Sequence, residues 1–275
     1  MSTIEKLFER IPDLPAMPKV MQDLVRTMGD DSADISDLAD SVKHDPTLSA
    51  RVLRMANSAY YGASRKIGAI EDAVTRIGLN ALRTLVIASG MTTTFKAVPG
   101  VKLQPFWRHA LLSAALARSI ARRARIDVEF SYTAALMHRI GELLLHLASP
   151  AEAQALAAEL IDASPAERCE AERDRLGADH CAAGAELARL WQFPAAIQNA
   201  LGAYAYPLSK QASPFAAIVA IASVCAQSVM EGMTGEDIAT AVPGEWLEKI
   251  VLDRQTLSDI LEDAPTMLAE AQAFI

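Results

Sequence analysis

With 275 residues and 51% hydrophobic content, the chain can bury one large core or two packed lobes. A formal net charge of -8 excludes the concentrated Lys and Arg footprint that nucleic acid or an anionic membrane surface requires. Three cysteines (Cys169, Cys181 and Cys225), odd in number and without C-x-x-C spacing, suggest neither a disulfide framework nor a zinc knuckle.

Along the chain the signals are helical throughout. The opening "MSTIEKLFERIP" interrupts its apolar residues with acidic ones and lacks the apolar run of a secretory signal, so a cytoplasmic location with reduced thiols is expected. Val20, Leu24 and Met28 recur at helical spacing, as do Leu48, Val52 and Met55. Asp45-Pro46, Ser149-Pro150, Ser164-Pro165 and Ser213-Pro214 each read as a helix start, with a capping oxygen followed by a proline whose missing N–H has no partner to lose. Glu167 completes a capping box with Ser164. Asn57 and Ser58 should end one helix and Gly62 turn the chain, while Gly78 stops another helix and Asn80 caps the next.

Pro, Gly and Pro in "KAVPGVKLQP", residues 96–105, mark a lobe boundary. Beyond it, Arg118, Arg122 and Arg125 fall at helical spacing on a solvated face. "AALMHRIGELLLH", residues 134–146, reads as one buried helix carrying His138 and Arg139. "PFAAIVAIASVCA", residues 214–226, is a core helix, short of the roughly 20 residues that span a bilayer. Residues 232–245 form a softer break before a helical tail. No strand-like alternation is present, so the fold class is all-α: two packed helical lobes, 1–100 and 101–231, with a tail at 232–275 packed on the second.

Two constellations could carry function. Asn57, Ser58, Tyr60 and Tyr61 could bind a ligand or partner, since adjacent tyrosines on an irregular segment point apart. His138, Glu142 and His146, four apart, would share a helix face and could present two imidazoles and a carboxylate to a metal. A surface or interface face explains the same spacing without a metal, and the H-E-x-x-H order of zinc proteases is missing.

Three blocks in order, "LPAMPKVMQDLVRTM" at 14–28, "HDPTLSARVLRMANSAYYG" at 44–62 and "AIEDAVTRIGLNALRTLVIA" at 69–88, together with the region up to about Ser228, resemble the HDOD family. The resemblance implies a bacterial, all-helical signal-transduction module whose second lobe is a degenerate relative of HD-domain metal-dependent phosphohydrolases. It also implies where the metal site of those enzymes would fall. The first His matches His109, the His-Asp pair falls on His138 and Arg139, the distant Asp falls on Ser223, and a further His of related subfamilies falls on His180.

Hard divalent ions need the missing carboxylates. A guanidinium at about 4 Å instead repels each unit of metal charge by about 4 kcal/mol at an effective dielectric of 20. The expectation is therefore no catalytic residue, no metal and no cofactor. Arg139 would pair with an acidic side chain or hydrogen-bond exposed carbonyls, and His109 and His138 would be satisfied core histidines. The expected function is a non-catalytic module that binds another signalling protein, or a small ligand in a cleft between lobes, without nucleic acid or membrane. The alternative is a divergent metal-dependent phosphohydrolase acting on a phosphorylated nucleotide or signalling molecule, using His109, His138 and His180.

Overall fold

The computed structural model describes residues 3–28, 35–57 and 66–274. Within these the chain is all-α, with no strand. None of the described helices is long and apolar enough to cross a membrane. The chain divides into two compact units, Pro15–Phe95 and a larger one formed by residues up to Leu14 together with Lys96–Ile275. The boundary at Phe95–Lys96 coincides with the start of the Pro/Gly segment. The first helix, α1 (Thr3–Glu9), belongs to the larger unit, whereas the sequence suggested a first lobe starting at residue 1. Arg10 ties this segment down, donating to the Ser149 hydroxyl (3.4 Å) and the Leu176 carbonyl (3.3 Å).

The smaller unit holds α2 (Lys19–Arg26), α3 (Ile35–Lys43), α4 (Pro46–Ala56), α5 (Ile70–Ile77) and α6 (Leu79–Thr94). Asp45 caps α4 as expected, accepting from the Thr47 and Leu48 amides at 2.9 and 3.0 Å. Leu48, Val52 and Ala56 form its buried face, whereas Leu53 and Met55 are only half-buried. Gly78, at φ +82°, both ends α5 and begins α6. Asn80 therefore lies inside α6 and does not cap it, because glycine alone adopts the reversal cheaply.

The larger unit is built on α7 (Leu103–Ala124), whose Leu112, Leu116 and Ile120 are fully buried, each worth about 1.5–3 kcal/mol of transfer free energy. The chain continues through α8 (Val128–Met137), α9 (Ile140–Ala148), α10 (Pro150–Glu159), α11 (Pro165–Leu176), α12 (His180–Leu190), α13 (Ala195–Ala203) and α14 (Pro214–Met230). α8 and α14 pack directly on α7, and α12 packs on both α9 and α13. Four further helices follow, α15 (Gly235–Ala241), α16 (Gly244–Lys249), α17 (Arg254–Glu262) and α18 (Ala264–Phe274). α17 and α18 both lie against α7. The expected break at 232–245 is thus largely helical, with Thr234 capping α15 through the Asp237 amide.

The four proline starts are real, but their caps differ. Ser164 and Glu167 form the reciprocal capping box. Ser149 and Ser213 make no cap bond. The Ser149 hydroxyl is engaged by Arg10 instead, and Ser213 is held through its amide by Asn199 Oδ1 at 3.1 Å. Arg118 stacks over the Tyr132 ring at 4.4 Å, so the basic run is only partly a solvated face.

Candidate functional site

The stretch 134–146 is not one helix. α8 stops at Met137, residues 138 and 139 turn, and α9 starts at Ile140. The apolar spacing runs through this break, which is why periodicity alone reads it as continuous. His138 makes the turn tenable. Its Nδ1 donates to the Ala135 carbonyl at 2.6 Å, satisfying an acceptor at the end of α8. That bond fixes the tautomer and leaves Nε2 to accept from the Ser223 hydroxyl at 3.0 Å. Burial of the whole ring pushes its pKa down to about 3, so it is neutral at ordinary pH.

His109, on α7, donates from Nε2 to the backbone carbonyl of the same Ser223 (3.2 Å), and its ring centroid lies 5.5 Å from that of His138. Burial also lowers its pKa well below the usual imidazole range. His109 Nδ1 is buried with no hydrogen-bond partner among the described residues, so His109 is only half satisfied. Tyr204, at the end of α13, packs edge-on to His138 at 5.1 Å and tilted to His180 at 5.7 Å. Thus Ser223 links His109 and His138 in the larger unit, and Tyr204 lies against both His138 and His180. One serine holds the two imidazoles, His138 through its hydroxyl and His109 through its backbone carbonyl.

Arg139 forms a bidentate pair with Glu142, Nε and Nη2 each 2.7 Å from a carboxylate oxygen. Burial alone would raise the Glu142 pKa, but the adjoining guanidinium and its hydrogen bonds outweigh burial and hold the carboxylate ionised. The guanidinium also lies 5.3 Å from the Phe106 ring centroid. Beside this pair is a cavity of about 20 Å³ lined in part by Glu142, His146, Arg168 and Glu172, room for a water molecule and little more.

The shared face of His138, Glu142 and His146 that could have presented a metal site does not form. The turn at 138–139 rotates His138 onto Ser223, Arg139 takes Glu142, and His146 donates from Nδ1 to the Pro99 carbonyl at 3.0 Å. In the other candidate set, Ser58, Tyr60 and Tyr61 lie outside the described residues. Asn57 is a clamp, its Nδ2 donating to the Leu53 and Ile67 carbonyls and its Oδ1 accepting from the Ile67 amide, all at 2.8 Å.

A second cluster adjoins the first and was not foreseen. His180 begins α12 behind an Asp179 cap, which accepts from the Ala182 amide at 2.8 Å. Its amide and Nδ1 both donate to Glu172 Oε2 on α11, at 2.8 and 2.5 Å. Burial opposes charge on the ring, but the Glu172 carboxylate reverses this and raises the His180 pKa well above normal. Cys169 Sγ lies 3.5 Å from Cys181 Sγ and 3.7–3.8 Å from the two ring nitrogens of His180. The Cys181 thiol and then His180 pull the Cys169 pKa down, whereas burial pushes that of Cys181 up.

The signal for this cluster was present in α11, whose sequence is otherwise strongly polar. Cys169, Glu172 and Leu176 occupy spacings of three and four on its buried face, so a carboxylate sits where an apolar residue would be expected.

A backbone close approach holds the two clusters together. A Cβ at Gly141 on α9 would lie 1.8 Å from the His180 carbonyl oxygen and 2.8 Å from the Gly184 nitrogen, so α9 and α12 touch main chain to main chain.

The larger unit is thus an all-helical domain whose buried imidazoles are held by a serine and by a glutamate. The HDOD domain model matches residues 14–207, and the chain belongs to the HDOD family. Among solved structures, a candidate phosphohydrolase from Shewanella amazonensis SB2B is 28% identical at a TM-score of 0.81, covering 98% of this chain and 97% of that one. An HDOD domain protein of unknown function from Geobacter sulfurreducens is 23% identical at a TM-score of 0.82, covering 99% and 97%. A curated, uncharacterized protein of Treponema pallidum (strain Nichols) is 25% identical over 204 residues, which span 70% of this chain and 38% of that relative.

Proposed function

We propose that this HDOD protein is a non-catalytic signal-transduction module that acts by binding another signalling protein. The observation that carries this reading is the Arg139–Glu142 pair, a fixed cation satisfied by its own carboxylate at the position where the family resemblance would put a metal-bridging Asp. The adjoining His109 and His138 are both occupied by Ser223, and the space beside the pair holds about 20 Å³, far below the few hundred Å³ typical of a small-molecule pocket. A solved candidate signal transduction protein from Marinobacter aquaeolei VT8 shares the fold at a TM-score of 0.76 and 21% identity, over 100% of this chain and 61% of that one.

The alternative, a divergent phosphohydrolase, draws on the name of the Shewanella relative and on the convergence of the imidazoles. The test is hydrolysis of generic phosphomonoesters and phosphodiesters by the full chain with added Mg²⁺ or Mn²⁺. The expected result is no turnover above that of His138→Ala. Turnover abolished by His138→Ala would overturn the binding reading and establish the phosphohydrolase.

A further inference from the structure

Cys169, Cys181 and His180 lie together, each fully or almost fully buried, with donor atoms all within 4.8 Å of one another. Zn–S bonds of about 2.3 Å and Zn–N bonds of about 2.0–2.1 Å in a tetrahedron put sulfurs about 3.8 Å apart and sulfur about 3.6 Å from nitrogen. The sulfurs are 3.5 Å apart, close to a tetrahedral edge, whereas Cys169 Sγ lies 3.7 and 3.8 Å from His180 Nδ1 and Nε2, beside the ring, and must turn toward the Nε2 lone pair for a metal to bind. The other ring nitrogen, Nδ1, is held at 2.5 Å by Glu172, itself 4% exposed. A carboxylate behind an imidazole is the arrangement that orients a metal-ligating histidine and turns its Nε2 lone pair outward. A disulfide would need neither the imidazole nor the carboxylate, and two inert core thiols would not need a buried acid.

We propose that Cys169 Sγ, Cys181 Sγ and His180 Nε2 form a binding site for a thiophilic divalent metal ion, zinc being the probe, with Glu172 as the positioning residue. Binding releases the protons of both thiols and of His180 Nε2, and His180 keeps its Nδ1 proton in the bond to Glu172. The site joins α11 to the start of α12, and its three protein ligands leave one tetrahedral position open. It is separate from His109, His138 and Ser223, which offer no sulfur.

The test is metal content of the full chain purified without chelator, together with the spectrum of the cobalt-substituted protein. The expected results are one zinc per chain and a near-ultraviolet thiolate-to-cobalt charge-transfer band. Both are lost in Cys169→Ser and Cys181→Ser and kept in His109→Ala. Glu172→Gln is expected to weaken zinc affinity about 10–100-fold. If a cysteine variant fails to fold, alkylation of the native wild type decides the question, since added zinc should protect Cys169 and Cys181. The proposal is overturned by a wild type that shows no charge-transfer band and no zinc protection, by metal retained in both folded cysteine variants, or by a mass showing Cys169 and Cys181 joined as a disulfide.

Discussion

Gly141→Ala is the substitution on which the architecture of the site turns. The new Cβ would sit 1.8 Å from the His180 carbonyl oxygen and 2.7 Å from its carbon. Ordinary contact begins near 3.4 Å, so α9 and α12 must part by well over an ångström. Both offending atoms are main chain and cannot swing aside. Alanine gains up to about 1 kcal/mol over glycine in helix propensity, but overpacking of a rigid core costs about 1–3 kcal/mol, occasionally more. The backbone contact places this case at or above about 3 kcal/mol, less the propensity gain. For a domain of this size each kcal/mol lowers Tm by about 2–4 °C, so a net loss of about 2 kcal/mol gives a fall of about 4–8 °C.

The control is Gly184→Ala, directly across the seam. Its Cβ would meet the Gly141 nitrogen and Ile140 Cγ2 at 3.5 Å, ordinary contacts, so Tm should hold or rise slightly. Calorimetry of the two variants against wild type decides it. If Gly141→Ala melts at or above the wild-type temperature, the close approach does not govern the packing of α9 on α12.

Two further outcomes follow from the first cluster. Arg139→Met leaves the Glu142 carboxylate, 14% exposed, without its partner; a loss of up to about 3–5 kcal/mol is expected, most of it recovered in Arg139→Met/Glu142→Leu, with urea midpoints as the measure. His138 has a folded pKa of about 3 against about 6.5 unfolded, so between those values the unfolded chain holds the extra proton. Its contribution to stability is therefore intact above about pH 6.5 and is lost toward pH 3 at up to about 1.4 kcal/mol per pH unit. In His138→Gln the stability profile below pH 6.5 should be flatter than in wild type by that slope, and parallel profiles would refute the assignment.

What could be read from the sequence was what acts over a few residues or repeats regularly. The Asp45 cap and the Ser164–Glu167 box are settled within one turn of chain and appear as expected, whereas of Val20, Leu24 and Met28 only Leu24 is buried, with Met21 and Val25 completing the face of α2, and Met28 lies beyond its end. That Arg139 needs an acid or free carbonyls was legible, because a guanidinium beside an apolar core is rarely left unpaired; the structure supplies the acid, Glu142, one turn away. Ser149 and Ser213 carry the same local signal as Ser164 but cap nothing: Arg10, from far along the chain, engages the Ser149 hydroxyl, while Asn199 holds Ser213 through its amide alone. The turn at His138–Arg139 was hidden because the apolar spacing continues through it. The Cys169–Cys181 contact was hidden because it depends on α11 and α12 folding back around Gly177, a left-handed residue at φ +85°.

The assignment of α1 to the larger unit makes Pro15–Phe95, in topology, an insertion within that unit. On the ribosome α1 therefore emerges well ahead of α9 and α12, against which it packs and which appear more than a hundred residues later. The inserted unit has all its own helices available long before the larger one does, and domains fold as units in the order they emerge. α1 thus waits for partners made much later, and the bonds from Arg10 to Ser149 and Leu176 are closing events of folding rather than opening ones.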